Sequence, residues 1–172
     1  MSEPQAPAAP KNDWTRRLKV WGGITVAILL GLLIGAAFIP RWWAQRVGDQ
    51  ANESFTGGIM LGLFYGFVFT VLPLLLIIWG IRRRRSGRMW LWILVGAGLL
   101  ALPNLMTLGI VVGPGSGAHA GDRTLDVEAP GFRGATLGGA LMALAAIGFI
   151  WYLLSSRRRA RALAREHDRP DQ

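Results

Sequence analysis

Cysteine is missing from this chain, so disulfides, thiolate metal centres and cysteine nucleophiles are excluded, and thiol usage says nothing about the redox compartment. Lysine is nearly missing: of 19 basic residues only Lys11 and Lys19 are lysine, and the rest are arginine. Charged residues make up only 17 % of the chain, and none falls within four long apolar runs, Val20–Ile39, Ile59–Ile81, Met89–Val112 and Ala135–Leu154, which also lack histidine. An ionisable group in hydrocarbon is costly, and where one is kept it marks a proton relay or ion-coupled site. Its absence argues against a self-contained proton-coupled pump and leaves open a passive path or one for a hydrophobic substrate. The outer stretch with Asp122, Asp126 and Glu128 holds one histidine, His119, too few for a zinc site. The carboxylates Asp122, Asp126 and Glu128 lack the ligand spacing of an EF-hand loop. No G-x-S-x-G element offers a serine nucleophile for either histidine.

What is present is apolar and topological. Hydrophobic residues make up 52 % of the 172, with 8 Trp and a mean hydropathy of +0.35, which suits one membrane-embedded domain. The net charge of +9 could suggest nucleic acid, but it sits at the ends of apolar runs, where membrane topology places it. No nucleic-acid partner is expected. The preponderance of Arg over Lys, with abundant Ala and Gly, points to a GC-rich bacterial genome.

The organising stretch is Ile81-Arg82-Arg83-Arg84-Arg85-Ser86-Gly87-Arg88, between the second and third runs. So short an arginine-rich turn counts in full under the positive-inside rule and belongs on the cytoplasmic side. A run of 20 helical residues spans about 30 Å, roughly one hydrocarbon core. The expected fold is therefore an all-α membrane protein of four transmembrane helices in an antiparallel bundle, with both termini inside. Residues 1–19 read as a disordered basic cytoplasmic tail, 20–154 as the transmembrane domain (spans 20–39, 59–81, 89–112 and 135–154), and 155–172 as a second basic tail. The segment charges agree: +2, +5 and +3 inside against 0 and −1 outside, which together give the +9 of the chain. A cleaved signal peptide competes for the first span, but the run is long for one and no small-x-small site follows before Pro40, so a retained anchor is expected.

Pro40-Arg41-Trp42-Trp43 reads as a helix stop followed by interface aromatics, with residues 41–56 lying at most as an amphipathic segment on the membrane surface. Residues 113–134 read as a second outer loop, flexible at Gly113–Gly117, with a short strand conceivable at Thr124–Val127. Asn52-Glu53-Ser54 matches a glycosylation sequon weakly. Deleting Ser116–Asp126 is expected to release a docked partner and leave the bundle intact.

Several residues are candidates for packing or function. Gly58, Gly62 and Gly66 share one helix face and permit close backbone approach, with Gly31/Gly35 and Gly134/Gly138 as matching faces; packing within the chain is favoured over a dimer face. Pro73 and Pro103 predict kinks, with Thr70 placed to relieve strain by bonding a carbonyl. Pro103, Asn104 and Thr107 form the most polar intramembrane position: either a half-broken helix lining a cavity or, as favoured here, a kink plus one interhelical hydrogen bond worth about 0.6 kcal/mol. Arg82, Arg83, Arg84, Arg85, Arg88, Arg157, Arg158, Arg159 and Arg161 are candidate contacts to anionic lipid head groups on the cytoplasmic side.

The run Ile39-Pro40-Arg41-Trp42-Trp43-Ala44-Gln45-Arg46-Val47-Gly48-Asp49-Gln50, with the four-span layout, resembles small four-span membrane proteins of GC-rich bacteria, labelled "permease" or uncharacterised. The likeness covers roughly Trp14 to Arg159 and implies a multi-pass protein of the cytoplasmic membrane. It implies no catalytic residue and no cofactor. The expected function is a non-enzymatic accessory or scaffold subunit of an envelope or transport complex, with a protein partner or homo-oligomer. A small permease whose path forms in an oligomer is the alternative, and a membrane enzyme acting on lipid ranks last.

Overall fold

A computed structural model describes residues 14–83 and 87–167, with side chains described as far as 157. Of the segment 1–19 expected to be disordered, residues 1–13 lie outside the described residues, as do Arg84 and Arg85 of the turn and the side chains of Arg158, Arg159 and Arg161, while Trp14–Lys19 are helical. Every described element is a helix: α1 Trp14–Ala51, α2 Phe55–Arg82, α3 Arg88–Val112, α4 Ser116–Glu128 and α5 Phe132–His167. Four of them, α1, α2, α3 and α5, are long and apolar enough to cross a membrane.

The chain divides into two compact units, Met1–Ala36 and Ala37–Gln172. In the first, helical residues from Trp14 to Ile34 expose their side chains, and Thr25 donates back to the Trp21 carbonyl at 2.9 Å. Gly31 has open space where a Cβ would stand, and Gly35 is half-buried. The boundary falls one turn before Pro40, at the residue whose carbonyl Pro40 leaves without its usual donor.

Pro40 does not stop the first helix. α1 runs on to Ala51 with Pro40 inside it, and residues 41–51 are helical with one face packed into the core. Trp43, Ala44, Val47, Gly48 and Ala51 are buried. Their i, i+1, i+4, i+5, i+8 spacing forms one stripe, and burial of that stripe offsets the hydrogen bond that proline cannot make. The stretch 113–134 is likewise no loop. α4 occupies Ser116–Glu128, and Thr124–Val127 is helical, not a strand. Its buried positions, Gly117, Ala118, Gly121 and Leu125, are mostly small, so the amphipathic period carries little hydrophobic weight and is easily overlooked. They bring its backbone close to its neighbours: a Cβ at Gly121 would stand 2.8 Å from the Pro40 carbonyl oxygen, and one at Gly48 would stand 2.7 Å from the Glu128 Cβ.

In the second unit α2 packs against both α3 and α5, which meet each other only sparsely. The glycines of α2 set the α5 interface. A Cβ at Gly58 would overlap Ala129 and Pro130, one at Gly62 would overlap Phe132 and Ala135, and one at Gly66 would overlap Thr136. The contact positions rise together in the two helices, so their backbones run side by side at a distance only small residues permit. From α5 the close contact comes from Gly139, against Leu63 and Phe67, while Gly134 faces open space and Gly138 only approaches Leu63 at 3.9 Å. Against α3 the order reverses: Gly80 lies beside Trp90 and Ile93, Gly96 beside Leu76, and Thr70 beside Asn104.

The main hydrophobic core lies at the α4 end. Trp43, Ala44, Val47, Ala51, Ile110, Leu125, Ala129 and Phe132 are buried together, with Leu61, Tyr65 and Met106 packed against them. Tyr65 is its aromatic hub. It stacks on Phe69 at 5.2 Å between ring centroids, meets Trp43 and Phe132 edge-on, and donates its hydroxyl to Gln50 Oε1 at 3.0 Å. Aromatic pairs in such geometries contribute about 0.5–1.5 kcal/mol each beyond their burial.

Candidate functional site

Two sites on α3 and α5 gather the polar groups of the apolar helices. On α3, Pro103 interrupts the backbone ladder, and Thr107 donates its hydroxyl to the Pro103 carbonyl at 3.0 Å. The same hydroxyl oxygen accepts from Trp43 Nε1 at 3.0 Å, a buried bond linking α3 to the extension of α1. Asn104 faces α2. Its Nδ2 donates to Thr70 Oγ1 at 2.9 Å and to the Gly66 carbonyl at 3.3 Å. Thr70 is thus the acceptor for Asn104, and the glycine that admits α5 also leaves a carbonyl for α3. Asn104 Oδ1 is buried and has no hydrogen-bond partner among the described residues. In a medium without water such an atom costs about 1–3 kcal/mol.

Because α3 and α5 diverge over α2, a cleft opens between them. Its half toward α4 has a volume of about 440 Å³ and is bordered by Thr70, Asn104, Thr107, Thr136, Leu137 and Arg133 among others. The other half, of about 420 Å³, shares Thr70 and Asn104 and continues along Pro73, Ile77, Gly98 and Leu144. The cleft follows α3 from Leu94 to Val111, a rise of about 26 Å, close to the thickness of a bilayer core. Pro73 is buried in α2 and borders this cleft.

At the α4 end of the cleft stands Arg133, the second residue of α5. Its guanidinium pairs with Asp122 through Nη1 and with Asp126 through Nη2. The two carboxylates are one turn apart on α4 and so share a face. The side chains are 32 % exposed for Arg133, 34 % for Asp122 and 58 % for Asp126. The pairs fasten α4 to the start of α5 and engage two of the carboxylates whose spacing in the sequence does not match an EF-hand loop. Among the described residues no three His, Asp or Glu side chains gather where a metal could sit.

The remaining candidates are dispersed. Arg82 ends α2, Arg88 opens α3 and Arg157 lies well inside α5, and with Arg83 they are exposed. Gly31, Gly35, Gly134 and Gly138 are not brought together into an interface within either unit. Two groups went unnoticed in the sequence. The Asp122/Asp126/Arg133 clamp had a signal, since two acids at i and i+4 read as one helix face once α4 is a helix. Tyr65, embedded in an apolar run, gave none beyond its hydroxyl. No protein-family model matches this chain, and no curated protein or solved structure shows significant similarity to it.

Proposed function

We propose that this is a non-enzymatic multi-pass protein of a bacterial cytoplasmic membrane, acting as an accessory or scaffold subunit of an envelope or transport complex. In this reading the four long helices cross in alternating directions, the arginine turn and both termini face the cytoplasm, and α4 with the end of α1 forms a cap outside. The supporting observation is the distribution of burial. No more than 17 % of the most apolar window of any long helix is buried, while a compact core stands at the α4 end. Such a chain presents most of its intramembrane surface to neighbours and a well-formed cap to the aqueous side. The resemblance to small four-span proteins of GC-rich bacteria is consistent with this.

A second reading, a small permease whose path forms in an oligomer, draws on the unpartnered Asn104 Oδ1 beside the long cleft. Recovery of the protein from native membranes in nanodiscs, with the mass of the particle determined, separates the two. A stoichiometric foreign subunit is the expected result. A homo-oligomer without a partner, together with loss of a measured flux on Asn104→Leu, would transfer the assignment to the permease.

A further inference from the structure

We propose that the cleft between α3 and α5 binds one acyl chain of an amine-headgroup phospholipid, with the head group seated on Arg133 and Asp126. The inference rests on the reading that the long helices cross a bilayer.

Three observations carry it. The cleft runs nearly the depth of a hydrocarbon core, and apart from the row Thr70, Asn104, Thr107 and Thr136 its walls are aliphatic or aromatic until it reaches Arg133. The threonines are engaged within the protein: Thr107 and Thr136 bond carbonyls one turn back, and Thr70 holds Asn104. The walls therefore offer a chain little but apolar surface. At the α4 end the charges are of both signs. Arg133 uses one N–H on each terminal nitrogen for the two aspartates, and a guanidinium carries five donors, so three remain for a phosphate. Asp122 and Asp126 leave the three-residue cluster at a net −1 and put a carboxylate, that of Asp126, largely in solvent.

That pattern complements a zwitterion whose phosphate meets Arg133 and whose ammonium meets Asp126. An anionic phosphatidylglycerol head group meets a cluster of its own sign. A choline head group has no N–H to donate, so ethanolamine fits best. The same charges make a bare hydrocarbon or an anionic amphiphile the poorer occupant.

Two glycines allow a clean test. Gly98 and Gly134 both border the cleft, and a Cβ at either meets nothing within 4 Å, so the side chains of Gly98→Leu and Gly134→Leu start in open space at its wall. The full chain is reconstituted in nanodiscs of equal phosphatidylethanolamine, phosphatidylglycerol and phosphatidylcholine, then released for native mass spectrometry. The wild type is expected to keep one phosphatidylethanolamine. Gly98→Leu and Gly134→Leu are expected to lose it, and Asp126→Asn, which leaves the Asp122 pair in place, to bring the retained lipid back to the bulk ratio. Unchanged retention in both leucine variants, or wild-type lipid that mirrors the bulk mixture, overturns the proposal. Failure of the membrane-crossing reading is seen separately, as cysteine reporters at 86 and 116 that label from the same side.

Discussion

Asn52 and Glu53, between α1 and α2, both hold positive φ, 51° and 53°. Asparagine tolerates the left-handed region, but a glutamate there costs about 1–2 kcal/mol. The turn is kept because Ser54 must swing back to cap α2, accepting the Gly57 N–H at 3.3 Å. Glu53→Gly is therefore expected to raise stability by roughly 0.5–1 kcal/mol after the extra chain entropy of glycine is deducted; a lowered thermal midpoint in detergent would contradict this. Gly66 obeys the opposite rule. A leucine there would drive into the Thr136 carbonyl and the Ala140 backbone, which cannot move aside as a side-chain tip can. Gly66→Leu is expected to cost at least about 1–3 kcal/mol, whereas Gly134→Leu, with open space at its Cβ, should be near neutral. Parallel unfolding titrations of the two variants check the contrast.

At the scale of the element, α4 is the informative case. It docks through Gly117, Ala118, Gly121 and Leu125 and is fastened by Arg133 to α5. Deleting Ser116–Asp126 would thus strip part of the core and expose Phe132 and Val47, so the expectation that it leaves the bundle intact does not hold. A finer perturbation is the pair Asp122→Asn and Asp126→Asn. Since these groups are a third or more exposed, each pair contributes only about 0.2–1 kcal/mol and weakens with salt. The double variant should raise hydrogen exchange across 116–128 while leaving α2 unchanged. Equal protection in α4 would mean that small-residue packing alone holds it. Gly131, at φ 82° with Ile59 and Phe55 close by, turns the chain from α4 into α5 where a side chain has neither the conformation nor the space.

At the scale of the whole molecule the proposed topology makes its own prediction, and the lack of native cysteine makes it clean to test. A single cysteine at Ser116, exposed at the start of α4, should react in intact cells with a membrane-impermeant maleimide, and one at Ser86 only after the cells are opened. The reverse pattern would invert the orientation and move the cap to the cytoplasm. A main core at the α4 end also implies uneven stability: amides of Tyr65 and Phe132 should exchange last, and those of the opposite helix ends earlier.

The sequence by itself determined the helical class and the four apolar segments, because unbroken runs of uncharged residues near 20 long admit few other structures. The second and third runs, 59–81 and 89–112, agree closely with α2 and α3, since the arginine turn bounds both. The glycine spacing of α2 also announced a close helix contact, though not which helix would fill it. Only the tertiary structure decided that α5 does, that α1 continues through Pro40, and that α4 exists. Each of these depends on burial of small or isolated side chains against residues distant in the chain, and glycine and alanine carry almost no hydrophobic signal of their own. The unpaired Asn104 Oδ1 and the clamp on Arg133 are likewise products of packing, since α3 must meet α2, and α5 must meet α4, before either side chain has its neighbours.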